Sequence, residues 1–205
     1  MNFFRLALIL STMIAALPSS ARAADRRDAD WPCVQPKVPQ MSVAAMWDGP
    51  SIADVGNAWQ DDPTIKDLVV RLAARRTPVD AAERVISGFI IGTDAEKQKK
   101  AKMLFAGLFD SLSQQRSEIV SGIERVARKQ KELADRIRSD VTALHELEDK
   151  SEQDQIKINA LADQVEWSTR IFEDRRKTIR YVCEVPTVIE HRLFELGRAI
   201  AQAAE

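Results

Sequence analysis

Few residues in this chain have side chains suited to chemistry. Cys33 and Cys183 are its only two thiols, and His145 and His191 its only two imidazoles. Residues so few and so far apart do not make the Cys/His clusters that hold zinc, and there is no C-x-x-C of a thiol oxidoreductase. The sequence contains no H-E-x-x-H, no G-x-G-x-x-G, no P-loop and no S-x-x-K. Asp61-Asp62 and the Glu146, Glu148, Asp149 group lack the spacing of a calcium loop. They read as a helix cap and a solvated helix end. The expectation is a non-enzymatic protein with no catalytic residue, metal or cofactor.

Two kinds of chemistry remain, disulfide formation and charge. Each cysteine stands three residues before a proline, Pro36 or Pro186, and two from an aromatic residue, Trp31 or Tyr181. In an oxidising compartment a lone pair of cysteines is most simply a disulfide, here Cys33–Cys183. Lys97, Lys99, Lys100 and Lys102 form one basic cluster. Arg170, Arg175, Arg176, Lys177 and Arg180 form a second, interleaved with Phe172 and flanked by Trp167 and Tyr181. Such clusters are either solvated helix faces or contacts for anionic lipid headgroups or an acidic partner. With 30 basic against 31 acidic residues, net charge does not favour general nucleic-acid binding.

The elements that must carry these residues begin with an address. Arg5 precedes an apolar run, Leu6 to Leu17, interrupted only by Ser11 and Thr12; Pro18 and Ala21-Arg22-Ala23 follow. This is the pattern of an export signal over residues 1–23, cleaved after Ala23. The run falls short of the roughly 20 residues needed to span a bilayer. A bacterial periplasmic location follows, with contact to a membrane surface allowed but no span after cleavage.

Residues 24–62 carry Pro32, Pro36, Pro39 and Pro50, with Pro63 at the edge, and Trp31, Trp47 and Trp59. Proline at this density excludes a continuous helix. We expect an extended segment wrapped over a helical body, with a short helix over 42–47. Residues 63–205 form the helical domain. One helix is expected from Asp62 or Pro63 to Arg75, with Asp62 as its cap, and another from Val79 to Ile91, stopped at Gly92. Thr93 or Asp94 opens a far longer one, because no proline lies between Pro78 and Pro186.

A 4-3 apolar spacing runs from Phe105 through Phe109, Leu112, Ile119, Ile123, Val126, Leu133, Ile137 and Leu144 to Leu147. It is broken by Arg116, Gln130 and Asp140. A second seam passes through Ile158, Leu161, Val165, Ser168, Phe172, Arg175, Ile179 and Val182. This periodicity indicates coiled-coil packing over about 105–182. Glu124–Arg128 and Glu132–Arg136 have the spacing of helix-stabilising pairs. The polar stretch 148–155 is read as a turn, with Ser151 as cap and Asp154 completing a capping box. The resulting hairpin would pair Leu144 with Ile158, Ile137 with Val165, Ile123 with Ile179 and Ile119 with Val182. A last helix over 187–203 presents Val188, Ile189, Leu193, Leu196 and Ile200, with Ala204 just beyond.

The expected fold is therefore all-α, a small helical base with a long antiparallel coiled-coil hairpin. The alternative is one continuous helix of about 90 residues, ~130 Å long, in a dimeric coiled coil. The functional expectation is an exported protein acting through protein–protein interaction of its coiled coil, with an unknown partner in the cell envelope or a second copy of itself. A chaperone-like or envelope-stress binder of unfolded clients is the alternative.

Overall fold

A computed structural model describes residues 30–150 and 154–205. The expected export signal over 1–23 and the proposed cap Ser151 lie outside the described residues. All regular structure among the described residues is helical. The helices are α1 (Val43–Met46), α2 (Pro63–Ala73), α3 (Val79–Phe89), α4 (Asp94–Glu148), α5 (Gln155–Val182) and α6 (Val185–Ala204), with a 3₁₀ turn at Ala58–Asp61.

Local chemistry sets most of the boundaries. Pro63 stands at the first position of α2, and the Asp62 carboxylate accepts from the backbone N–H of Thr64 and Ile65. Between α3 and α4, Gly92 adopts φ +126°, a conformation side chains oppose, and its missing Cβ leaves room for the Glu96 carboxylate. That carboxylate accepts from the Thr93 backbone N–H at 2.8 Å and closes the start of α4. Asp154 is itself the N-cap of α5, accepting from the Lys157 N–H, so it does not occupy the third helical position that a cap at Ser151 required. Pro186 lies inside the first turn of α6, and the last helix starts at Val185, two residues earlier than expected. Proline is tolerated there because the first-turn N–H groups have no intrahelical acceptor.

Helix α4 has 55 residues, about 82 Å at 1.5 Å per residue. It is the spine. Its first half packs against α2 and α6, and its second half packs against α5. The Gln130 side chain meets the carbonyl of Phe172, and Asp140 meets Gln164, so α5 runs back along α4 in the opposite direction. Because α4 ends at Glu148 and α5 returns beside it, the chain is not one continuous rod.

The core sits in the base. Phe105 is fully buried and stacks on Trp47, ring centroids 4.4 Å apart. Leu72, Ile86, Leu104, Leu108, Leu193, Leu196 and Ile200 close around them. Two glycines permit close approaches between elements. A Cβ on Gly197 would lie 2.4 Å from the Met46 carbonyl oxygen, and one on Gly107 would lie 2.6 Å from Val69. Arg192, buried on α6, donates from both Nε and Nη2 to the carbonyl of Leu72, which lies in the last turn of α2. A cation there satisfies an orphan carbonyl and opposes the negative end of the helix dipole. The expected stripe on α6 needs one correction: Val188 is exposed, and Pro186, Arg192 and Gly197 are buried with the rest.

Candidate functional site

The region beyond the base consists of two helices and a strap. Residues 30–38 run alongside α4 and α5 and are held at several points. Cys33 and Cys183 form a disulfide with Cα atoms 5.6 Å apart. Gln35 donates to the carbonyl of Cys183, and the Trp31 indole N–H donates to the Gln35 carbonyl. Lys37 pairs with Glu124, while Asp30 lies between Arg128 at 3.4 Å and Lys131 at 3.0 Å. The hydrogen bond from Lys131, with the charges of Lys131 and Arg128, holds the Asp30 carboxyl below its ordinary range against a smaller desolvation effect.

These contacts revise the charge pairing read from helical spacing. Glu124 and Arg128 each take a partner from the strap instead of each other, and Glu132 forms no ion pair with Arg136 among the described residues. A tertiary partner supplied by the disulfide-held strap outweighs an exposed i,i+4 pair, whose contribution is only about 0.3–0.5 kcal/mol.

The three polar interruptions of the apolar seam all make contacts between elements. Arg116, 3% exposed, pairs with Glu190 of α6 at 2.5 Å and donates to the Val38 carbonyl. Gln130 Nε2 donates to the Phe172 carbonyl at 3.0 Å, and Asp140 accepts from Gln164 at 3.0 Å. Polar groups at buried positions such as Arg116 and Gln130 specify register, since a slipped pairing would leave them without these partners.

The seam itself is displaced. On α4 the buried positions run Leu112, Arg116, Val120, Ile123, Ala127, Gln130; Val126 is 41% exposed and Ile119 is only half-buried. A straight helix drifts about 20° per heptad against a 3.5-residue repeat, and the strap covers the Ala127 side. On α5 the seam residues are half-buried apart from Arg175, which is exposed, and Ile158, which is buried.

The α4–α5 pair consequently has two lateral hollows. One, about 670 Å³, lies beneath the strap and is lined by Trp31, the disulfide, Gln130, Phe172 and Arg180. The other, about 550 Å³, lies where the strap does not reach. Ile119, Ile123, Val126, Ile179 and Val182 form its apolar lining, with Arg125, Lys129 and Arg175 around it. It continues along the helices into a smaller hollow that shares Lys129 and Arg175 and reaches Leu133, Arg136 and Ile171. The sequence pairings Ile123 with Ile179 and Ile119 with Val182 bring together residues of this one groove.

The two basic clusters are dispersed. Lys102 pairs with Asp54 at 2.6 Å, Lys100 donates to the Ile91 carbonyl and lies over the Phe89 ring, Lys99 lines a shallow hollow with Lys102, and Lys97 is half-buried on the first turn of α4. Arg170, Arg176 and Lys177 pair with Glu166, Glu173 and Asp174 of their own helix. Arg176 and Arg180 line the hollow under the strap, and Arg175 alone of the five reaches the open groove. The sequence alone does not single out Arg125 or Lys129, and it assigns Arg136 only to a pair with Glu132. Their spacing beside Val126 on one face of α4 is the signal that marks them, and the 4-3 seam hides it by placing Val126 in the interface, where the structure leaves it 41% exposed.

His145 is exposed near the end of α4, and His191 faces Glu195 one turn along α6. Among the described residues no three His, Cys, Asp or Glu side chains gather as metal ligands, and no helix is long and apolar enough to cross a membrane. Compared with protein-family models, curated proteins and solved structures, the chain matches none.

Proposed function

We propose that this is an exported, non-enzymatic interaction protein of the bacterial periplasm, whose α4–α5 pair is a coiled-coil arm that binds a protein partner in the cell envelope. One observation supports this reading above the others. Most large apolar side chains of the base close into one buried core, whereas the arm leaves a groove with an aliphatic stretch open between its two helices. An exposed apolar groove rimmed by polar residues is the usual mark of a protein interaction surface. The strap and disulfide support the same reading, because they brace one side of the arm and leave the other accessible. Export would provide the oxidising compartment in which the Cys33–Cys183 bond persists.

The test is photo-crosslinking in intact cells. A photoreactive residue at Trp167 or Ile156 on α5 should give discrete protein adducts, whereas one at Lys66 or Arg84 in the base should give none. No adduct at any arm position, or equal labelling of arm and base, would remove the reading.

Exposed Trp167 and Tyr181, 63% and 72% exposed, favour a second reading as a holder of unfolded clients. That reading requires the protein to suppress aggregation of several unrelated model proteins at near-equimolar ratio.

A further inference from the structure

We propose that the open α4–α5 groove docks an acidic amphipathic helix of a partner protein; this rests on the arm being an interaction surface and specifies the partner's chemistry. The argument begins with shape. The two connected hollows extend along α4 from Ile119 to Leu133, fourteen residues or about 21 Å of helix. A partner helix of about four turns matches that length. The floor of the larger hollow is aliphatic, and Leu133 and Ile171 extend it into the smaller one, so the partner's buried face must present apolar residues at i, i+3, i+4 and i+7 spacing.

Charge selects among occupants. Arg125, Lys129, Arg136 and Arg175 line the groove, and none has an ion-pair partner among the described residues. Only Glu118 and Glu132 line it with opposite charge, and the Glu118 carboxylate accepts from Gln114. By contrast Lys37, Arg128, Lys131, Arg170, Arg176 and Lys177 of the arm and strap already have carboxylate partners. The groove therefore carries four cations without ion-pair partners against two carboxylates. Carboxylates flanking the apolar stripe of a partner helix would complement them, steer its approach and fix its orientation. Docking a second copy groove to groove would set the same cations against one another. Trp167, one turn before Ile171 on α5 and largely exposed, supplies an aromatic of the kind that anchors such contacts.

Gly122 offers a clean way to block the groove. A Cβ there would meet nothing closer than the flexible end of Arg125, at 3.7 Å. A side chain at this position fills the groove without disturbing the α4–α5 contact, and replacing glycine favours the helix.

The experiment uses the oxidised protein and two fluorescein-labelled helical peptides. Both carry leucine at i, i+3, i+4 and i+7; one flanks the stripe with Glu, the other with Lys. Anisotropy titration should show the Glu peptide binding at least tenfold more tightly, with the difference shrinking as salt screens it. Gly122→Phe should weaken Glu-peptide binding at least tenfold while the thermal midpoint is retained. The double charge reversal Lys129→Glu with Arg175→Glu should turn the preference toward the Lys peptide, a switch that an unfolded protein cannot produce. Equal affinity for the two peptides, or no binding of either, overturns the proposal. So does a solution mass of the unliganded protein showing a dimer that Gly122→Phe dissociates, or sedimentation with phosphatidylglycerol vesicles that Gly122→Phe abolishes. If arm adducts form in cells while these peptide results are negative, the interaction role stands and the acidic-helix assignment alone falls.

Discussion

Removing the Cys33–Cys183 bond should destabilise the protein strongly while leaving its helices formed. The two cysteines are separated by 150 residues in sequence. For a loop of that length, chain entropy assigns about 5 kcal/mol to the constraint on the unfolded state. Native disulfides in small exported domains typically contribute about 2–5 kcal/mol, so the expected loss lies in the upper part of that range. Little of it should arise from native packing. The strap residues are half-buried or exposed, and the core around Phe105, Leu193 and Leu196 does not include either cysteine. The perturbation is Cys33→Ser with Cys183→Ser, compared with oxidised wild type, and reduced wild type should behave like the double variant. Urea unfolding is followed by circular dichroism at 222 nm. The native signal should be unchanged, the midpoint should fall, and the slope should rise, because an uncrosslinked unfolded chain exposes more surface. A stability difference below about 1 kcal/mol with an unchanged slope would refute the reasoning, since the loop-closure account assigns several times that.

Other perturbations report on packing and charge. Gly197→Val should push α1 away from α6 and lower stability by about 1–3 kcal/mol, the ordinary cost of overpacking, read as a lower thermal midpoint; an unchanged midpoint would mean that α1 moves freely. Glu190→Ala removes the carboxylate facing buried Arg116 and should cost about 1–3 kcal/mol in urea unfolding, more than Glu195→Ala, whose His191 contact is exposed. Gln130→Leu removes the bond to the Phe172 carbonyl and also a buried side-chain oxygen that has no partner within the protein. The two effects offset, so stability should stay within about 1 kcal/mol while register specificity weakens, seen as broadened side-chain NMR signals on α5. The Asp30 carboxyl is held below its ordinary value, so its contribution is present above the unfolded-state value near 3.8 and is lost as pH falls through the lower folded value. The stability gap between wild type and Asp30→Asn should therefore be constant from pH 7 to 5 and close on further acidification.

Much of this molecule is determined by short-range physics, which a sequence displays directly. Asp62 before Pro63, glycine at 92 and the proline-free stretch after Pro78 mark helix ends and a long helix because capping, positive φ and a missing N–H act within a few residues. The 4-3 spacing made two long facing helices legible for the same reason. The cysteine pairing followed from there being only two. What the tertiary structure decided is which side of each helix is covered. The seam read as Ile119 and Val126 passes instead through Val120 and Ala127, because the strap, brought from 150 residues away by the disulfide, shields one flank of the arm and leaves the other open. Glu124 and Arg128 abandon their helical pairing for partners on that strap. Arg125, Lys129, Arg136 and Arg175 become one basic rim only because α5 returns beside α4. Burial and charge complementarity depend on what arrives from elsewhere in the chain, and no local pattern contains that information.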